Sequence, residues 1–507
     1  MTTPQPIPLV SQPGIKKDST LFEGQNYTDG EWCRFNARAL PRKMAGFTQV
    51  TADLPEVVRA IESYMSDATN YLHLGSEGHI LQVQTDLNGS PGNMVDRTPA
   101  AYVPDANTLW MLDQFYNEVG GSTYIIAHPG KNLTDIASSA ELPFYYGVAN
   151  EAGLLVASGM DPVSGGVIAL PPYFIAFSNS GRVDVSKVND PTLPNDSAFV
   201  TDQKIVCGLP LAGSNGPAGL LWSLDALVLL TFDASLTQGI PFDFSTISDS
   251  VSILSSRSAI EFDSIYYWAG VDRFMLYNGI VKELPNNLNI NFFFKNLNFA
   301  QRQKVFAFKV PAWGEIWWCF PFGNSQECNH AVIYNTRLNI WYNTPLPDGG
   351  RSAAIFAKVF QRPFMCDVDA TQTGFTLWQH EIGVDKVRPG KVFPIRSSFT
   401  THTISPLSAP KPEDKAFRVS IVEPDFNQRG TLRMTLLGRA NTRVAETQLA
   451  QQDFPQPPVT AQDDQMIEIK AEDRLLRFKF ESNVLGGDYE YGRAMVHIEP
   501  TTGRFTQ

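Results

Sequence analysis

The chain has 507 residues, 43% of them hydrophobic and 11% aromatic, with 37 Gly, 35 Pro and a net charge of −12. That length exceeds one ordinary core, so two or more domains are expected. The acidic balance argues against a surface built to grip phosphate, which needs clustered Lys and Arg, and no apolar run approaches the about 18 residues of a membrane span.

Residues 1–20 carry Pro4, Pro6, Pro8 and Pro13. Proline fixes φ and removes a donor, so this stretch reads as an extended N-terminal arm, disordered or laid across a neighbour. Residues 1–13 lack the basic start and apolar core of a secretory leader. The chain is therefore expected to be made in the cytoplasm. Five scattered cysteines, Cys33, Cys207, Cys319, Cys328 and Cys366, fit buried free thiols in a reducing compartment. Cys319 and Cys328 could instead face each other across a hairpin.

One pattern then recurs: an aromatic-led apolar run, a turn, and a second apolar run. Runs start near 71, 124, 173, 222, 265, 316 and 364. The stretch 265–284 shows the unit most fully. Ile265-Tyr266-Tyr267-Trp268 breaks at Ala269-Gly270-Val271-Asp272, a second run follows at 274–277, and Asn278-Gly279 turns into Ile280-Val281. Aromatic and β-branched residues suit a pleated, half-buried surface, and Asn-Gly suits the left-handed positions of a hairpin turn. Repetition at about fifty residues, with several strands per unit, predicts a β-propeller. A lone meander cannot bury both faces, and closing the ring hides sheet edges. Seven pairs predict seven blades, six if one pair belongs to an insertion. A row of separate β-sandwiches is the competing arrangement.

The propeller is expected over 21–384. Residues 385–415, with Arg388-Pro389-Gly390, Pro394, Pro406, Pro410 and Pro412, read as a linker. Beyond it, period-two runs at 417–422, 431–437, 466–470, 475–480 and 494–498 predict a C-terminal β-sandwich over 416–507. Residues 440–464, rich in Gln, Pro and Asp, predict a long loop. Only 297–304 reads as helical. The fold class is all-β.

Enzyme constellations are sparse. There is no Gly-x-Ser-x-Gly elbow, no phosphate loop and no His-Glu-x-x-His. His380-Glu381 lacks a second His and reads as a surface pair. Asp367, Asp369, Gly374 and Glu381 outline a calcium loop, but the glycine comes late and Thr371 would have to ligate. Cys328 and His330 stand alone. No catalytic, cofactor-binding or metal-binding residue is assigned, and a non-enzyme is expected. Asp225, Asp272 and Glu261 could reach a central pocket as a glycosidase pair, yet acidic turn residues are commonly solvated turn formers. Trp313, Trp317, Trp318, Trp341 and Tyr342 could stack sugar rings or pack between blades. Lys16, Lys17, Arg34, Arg38, Arg42 and Lys43 form a basic N-terminal concentration that could touch phosphate or an acidic neighbour.

Three stretches carry a resemblance. The first is Gly30-Glu31-Trp32-Cys33-Arg34-Phe35 with Pro41-Arg42-Lys43-Met44-Ala45-Gly46-Phe47. The second is Asn189-Asp190-Pro191, then Val206-Cys207-Gly208-Leu209 leading to Leu221-Trp222. The third is Arg474-Leu475-Leu476-Arg477-Phe478-Lys479-Phe480-Glu481-Ser482, Gly486-Gly487-Asp488-Tyr489-Glu490-Tyr491-Gly492-Arg493 and Glu499-Pro500-Thr501-Thr502-Gly503-Arg504. In order and spacing, over nearly the whole chain, they resemble the tail hub or nozzle proteins of short-tailed double-stranded DNA phages, also called packaged-DNA stabilisation proteins. The resemblance implies a propeller protomer in a homo-hexameric ring below the portal and the head-to-tail adaptor. Such a ring, in the virion tail, extends the DNA conduit, helps retain the packaged genome and mounts tail fibres or a needle. Double-stranded DNA would pass through the lumen without sequence recognition, and no catalytic residue or cofactor is implied. An acidic lumen would let DNA slide where a basic one would hold it. A carbohydrate-binding propeller or tail receptor-binding protein is the alternative reading.

Overall fold

The computed structural model describes residues 5–66, 69–86, 91–98, 109–118, 122–130, 144–147, 152–154, 165–178, 180–236, 239–357, 359–369, 374–405, 416–455 and 467–501. Among them, six antiparallel four-strand sheets follow one another and a six-strand sheet completes the series. Their first strands are Val58–Ser66, Met111–Asn117, Gly166–Leu170, Ile205–Pro210, Ala259–Phe262, Phe306–Val310 and Arg351–Ala357, which open blades 1 to 7. Each first strand lies against the first strand of the next blade, and the last returns to the first. The ring is therefore closed, as a seven-bladed propeller.

The aromatic-led runs are the second strands of these blades. In Tyr173–Phe177, Ala218–Ser223 and Glu315–Phe320 every residue is buried. A middle strand packed on both faces has no solvent side, so it loses alternation and reads as a continuous apolar run.

Closure of the ring uses a strand from far upstream. Phe47–Leu54 pairs with Phe375–His380, placing Gln49 opposite Trp378 and Phe47 opposite His380. Its other edge pairs in parallel with Asp385–Arg388, which turns into Lys391–Pro394. Residues 385–394 thus extend blade 7 rather than link domains, and Ser397–Thr400 is already a sandwich strand. Pro406, Pro410 and Pro412 lie outside the described residues.

The sandwich also departs from the expected boundary at 416. One sheet runs Asp29–Glu31, Ser397–Thr400, Leu475–Ser482, Leu432–Arg439, Thr447–Phe454; the other runs Ile467–Asp473, Phe417–Arg429, Asp488–Pro500, Pro41–Lys43, Cys33–Phe35. Residues 29–43, expected in the propeller, complete both sheets. Three-residue strands are too short to show a period of two, and although Cys33–Phe35 and Pro41–Lys43 pair with each other, they join the sandwich only through Arg42 opposite Glu490, while Asp29–Glu31 pairs with Ser397–Thr400. The arm is extended as expected, but it lies on its own chain: Gln5–Leu9 pairs with 494–498. Pro6 and Pro8 remove two donors from this outermost strand, which suits an edge. Thr447–Phe454, within the expected long loop, is an edge strand. Its exposed Gln448, Gln451 and Gln452 hide the strand pattern.

The helical stretch begins earlier than expected. An α-helix, Ile290–Asn296, precedes a 3-10 turn at Phe299–Lys304. Asp18 accepts hydrogen bonds from the amides of Asn291 and Phe292 at 2.6 and 2.8 Å, so the arm caps the helix.

Sandwich and propeller share one apolar core. It runs from Phe399, Phe480 and Tyr491 through Tyr27, Trp32 and Phe35 to Tyr342, Trp317 and Trp378 in blades 6 and 7. Trp32 meets Trp317 edge-on at 6.1 Å, and Phe35 meets Tyr342 at 5.4 Å.

Candidate functional site

Two polar constellations stand out, one on the propeller axis and one where the sandwich meets the propeller. All seven first strands contribute to an axial cavity of about 350 Å³, from Ala60 in blade 1 to Ala354 in blade 7. Trp110 and Phe306 add aromatic wall, and Glu62, Asp113, Ser256 and Arg257 bring polar groups.

Glu62 Oε1 accepts a hydrogen bond from Gln114 Nε2 at 2.9 Å, and the same nitrogen donates to the Ser63 carbonyl at 2.5 Å. Asp113 accepts from the amides of Gln114 and Ala169 at 2.8 and 2.7 Å. These side chains lace together the inner strands of blades 1, 2 and 3. Burial, and then the nearby Asp113, push the Glu62 carboxyl up to about 8. Burial pushes Asp113 up to about 6, against the lowering effect of its amide bonds. Burial thus favours the neutral form of both carboxyls, more strongly at Glu62 than at Asp113.

None of the acids first placed at a central pocket lines this cavity. Asp225 is exposed in a turn beside Ser223. Asp272 is exposed against Arg273, and Glu261 pairs with Lys309 at 2.9 Å. The inner strands that do carry Glu62 and Asp113 have no aromatic-led run, so nothing in the repeat drew attention to them.

At the joint, Arg34 enters the propeller. Its Nη1 and Nη2 donate to the two oxygens of Glu381, both at 2.7 Å, and Nη2 donates to Glu315 Oε2 at 3.0 Å. Tyr342 Oη and Trp317 Nε1 also donate to Glu315, at 2.5 and 2.9 Å. The Trp313 ring lies 4.8 Å from the Arg34 guanidinium and 5.2 Å from that of Arg42. Burial raises the Glu315 carboxyl, and Arg34 opposes that rise. Trp32 holds a left-handed φ of 49° here. Its amide donates to Thr344 Oγ1 and its carbonyl accepts from Ser397 Oγ, both at 2.8 Å.

The basic N-terminal residues are engaged within the chain. Lys16 pairs with Glu23 at 3.2 Å, Lys17 with Asp29, and Arg38 with Glu490. Lys43 Nζ donates to the Gly487 carbonyl at 2.8 Å. Of the aromatic cluster, Trp317, Trp318, Trp341 and Tyr342 are buried, so their faces pack against blades and are not offered to a sugar.

The metal-like patterns disperse. Asp367 accepts from the Thr376 amide and from Trp378 Nε1, at 2.7 and 3.1 Å, while Glu381 points to Arg34 and Thr371 lies outside the described residues. His380 is buried rather than at the surface. It stacks on Phe47 at 4.8 Å, and burial followed by Arg351 drives its imidazole well below the ordinary histidine range. Burial lowers His330 to about 4 among Phe292, Phe320 and Phe322. Cys319 lies opposite Ala331, not Cys328, and all five thiols are free and buried.

No family model matches the chain, and no curated protein matches it. Among solved structures, the chain is similar to the WD40 β-propeller domain of Doa1, with 11% identity and a TM-score of 0.37 over 66% of this chain and 97% of that one. The propeller assignment rests on the closed ring of strands described above.

Proposed function

We propose that the chain is a non-enzymatic ring subunit of a short phage tail, a hub or nozzle that prolongs the DNA conduit below portal and adaptor. In this reading six copies form the ring, help retain the packaged genome, give it passage at ejection and mount fibres or a needle. The observation that carries the reading is where the family-like stretches lie. The first and third, more than four hundred residues apart, meet in one sandwich, with Arg42 opposite Glu490 and Gly30 one strand away from Phe480 through Phe399. The second supplies strands of blades 3 and 4. The first stretch, through Trp32 and Arg34, also reaches into the propeller, so it serves an architectural joint, which is what a load-carrying ring wall requires.

The charge pattern supports the same reading. An acidic chain whose N-terminal cations are engaged internally has little left there to hold a phosphate backbone. Particles assembled without this chain test the proposal. They should package DNA but lose it on standing, and adding the purified chain should restore retention. Particles that keep and eject their genome normally without it would refute the proposal.

A further inference from the structure

The axial cavity presents a guanidinium that the surrounding residues leave largely unpartnered. Arg257 lines it just ahead of the first strand of blade 5 and bridges to Phe306 of blade 6. Among the described residues, Arg257 Nε and Nη2 are buried without a hydrogen-bond acceptor. Nη1 reaches only the Ser352 carbonyl, at 3.5 Å. The Phe306 ring lies 5.7 Å from the guanidinium.

Glu327, the carboxylate that acts electrostatically on Arg257, is already committed. Glu327 accepts from both forks of Arg59, at 2.6 and 2.8 Å, and from Lys304 at 2.7 Å. Arg59 is buried and sits next to the lining residue Ala60. Burial, and then repulsion from Arg59, bring the Arg257 guanidinium down to about 10. Glu327 is thus taken up by Arg59 and Lys304, and the cavity's own carboxyls, Glu62 and Asp113, bond to Gln114 and to backbone amides rather than to Arg257. Burying unpaired charge is costly unless a counter-charge is supplied.

We propose that the axial cavity binds a small oxyanion, phosphate or carboxylate, held by the Arg257 guanidinium with Arg59 beside it. A planar fork of donors matches either group in a bidentate pair. A volume of about 350 Å³ falls at the lower end of small-molecule sites. Apolar wall from Ala60, Ile168, Ala259 and Ala307 gives room for an apolar body attached to the anionic head. Glu62 and Asp113, contributed by blades 1 and 2, add hydrogen-bonding groups to the wall for the ligand's other end. This inference does not rest on the tail reading, because the axis of a single propeller is distinct from the axis of a ring of propellers.

The test is a titration of the purified full-length chain with inorganic phosphate, at ionic strength held constant with chloride. Binding is read from phosphorus NMR line widths, with acetate as competitor and acetate binding followed separately by proton saturation transfer. Saturable binding of either anion in the unmodified chain is expected. Phosphate untouched by acetate assigns a phosphate site, and acetate bound alone assigns a carboxylate site. Arg257→Gln should weaken binding tenfold or more, whereas Glu327→Gln, which removes the competing carboxylate, should tighten it. If Arg257→Gln does not fold, Arg257→Lys, which keeps the charge but loses the fork, should still weaken binding. No saturable binding of either anion to the unmodified chain, or equal affinity in a folded Arg257 variant, would overturn the proposal.

Discussion

Arg34 and Glu315 form an ion pair closed to solvent on both sides. Arg34 Nε lies 3.0 Å from Glu315 Oε1, and the two side chains are 1% and 0% exposed. One residue belongs to a three-residue strand of the sandwich and the other to blade 6. Removing one partner of such a pair strands the other, and costs about 3–5 kcal/mol. Arg34→Met should therefore lower stability by that amount in urea unfolding, because both Glu315 and Glu381 lose their cation. A loss below about 1 kcal/mol would show that the joint is not held by this residue.

Blade closure should be sensitive to one glycine. A Cβ on Gly46 would stand 2.2 Å from the Asp385 carbonyl oxygen and 2.8 Å from that of Ile382, both backbone atoms. Gly46 also exchanges backbone hydrogen bonds with Gly383 and Ile382, at 2.9 and 3.0 Å. Gly46→Ala should cost about 1–3 kcal/mol, as overpacking does. The loss should appear as faster hydrogen exchange in residues 375–388, over three hundred positions away in sequence. Unchanged exchange there would contradict the closure described.

The Glu62 carboxyl should make stability fall as pH rises. Its folded value is raised, so between its ordinary value and about 8 the folded state holds a proton that the unfolded state has released. The stabilisation is complete below the ordinary carboxylate range and is lost as pH climbs through about 8. Unfolding midpoints measured from pH 5 to pH 9 should decline, and Glu62→Gln, which stays neutral throughout, should decline less. Parallel profiles would remove Glu62 as the cause.

All five cysteines should be silent in the native chain. Burial pushes Cys33, Cys207 and Cys328 up to about 12, and raises Cys319 and Cys366 well above the ordinary thiol value. Thiolate, not thiol, is the reactive form. A thiol-specific disulfide reagent at pH 8 should label none in the folded chain and five in denaturant. Fast labelling of any one in the folded chain would place it at the surface.

What the sequence made legible follows from burial. Second strands such as Tyr173–Phe177 and Ala218–Ser223 are covered on both faces, so they announce themselves as apolar runs. First strands such as Val58–Ser66 face the axis and mix Arg59, Glu62 and Tyr64 with apolar residues, which conceals both the strand and the axial acids. Outer strands such as Phe242–Ser248 are largely exposed and read as loop. Strand 29–31 pairs only with 398–400, and the local hairpin 33–35/41–43 reaches the sandwich through Arg42 opposite Glu490, so no local pattern marked them as part of the sandwich. The same remoteness hid the joint: nothing near Arg34 in the chain indicates that its counter-ions are Glu315 and Glu381.

The most direct measurement is the mass of the purified chain, alone and with its candidate adaptor, by native mass spectrometry. The account predicts a closed assembly of six chains, formed alone or on addition of the adaptor. A strict monomer under every condition, with the adaptor present, would contradict the ring on which the proposed function depends.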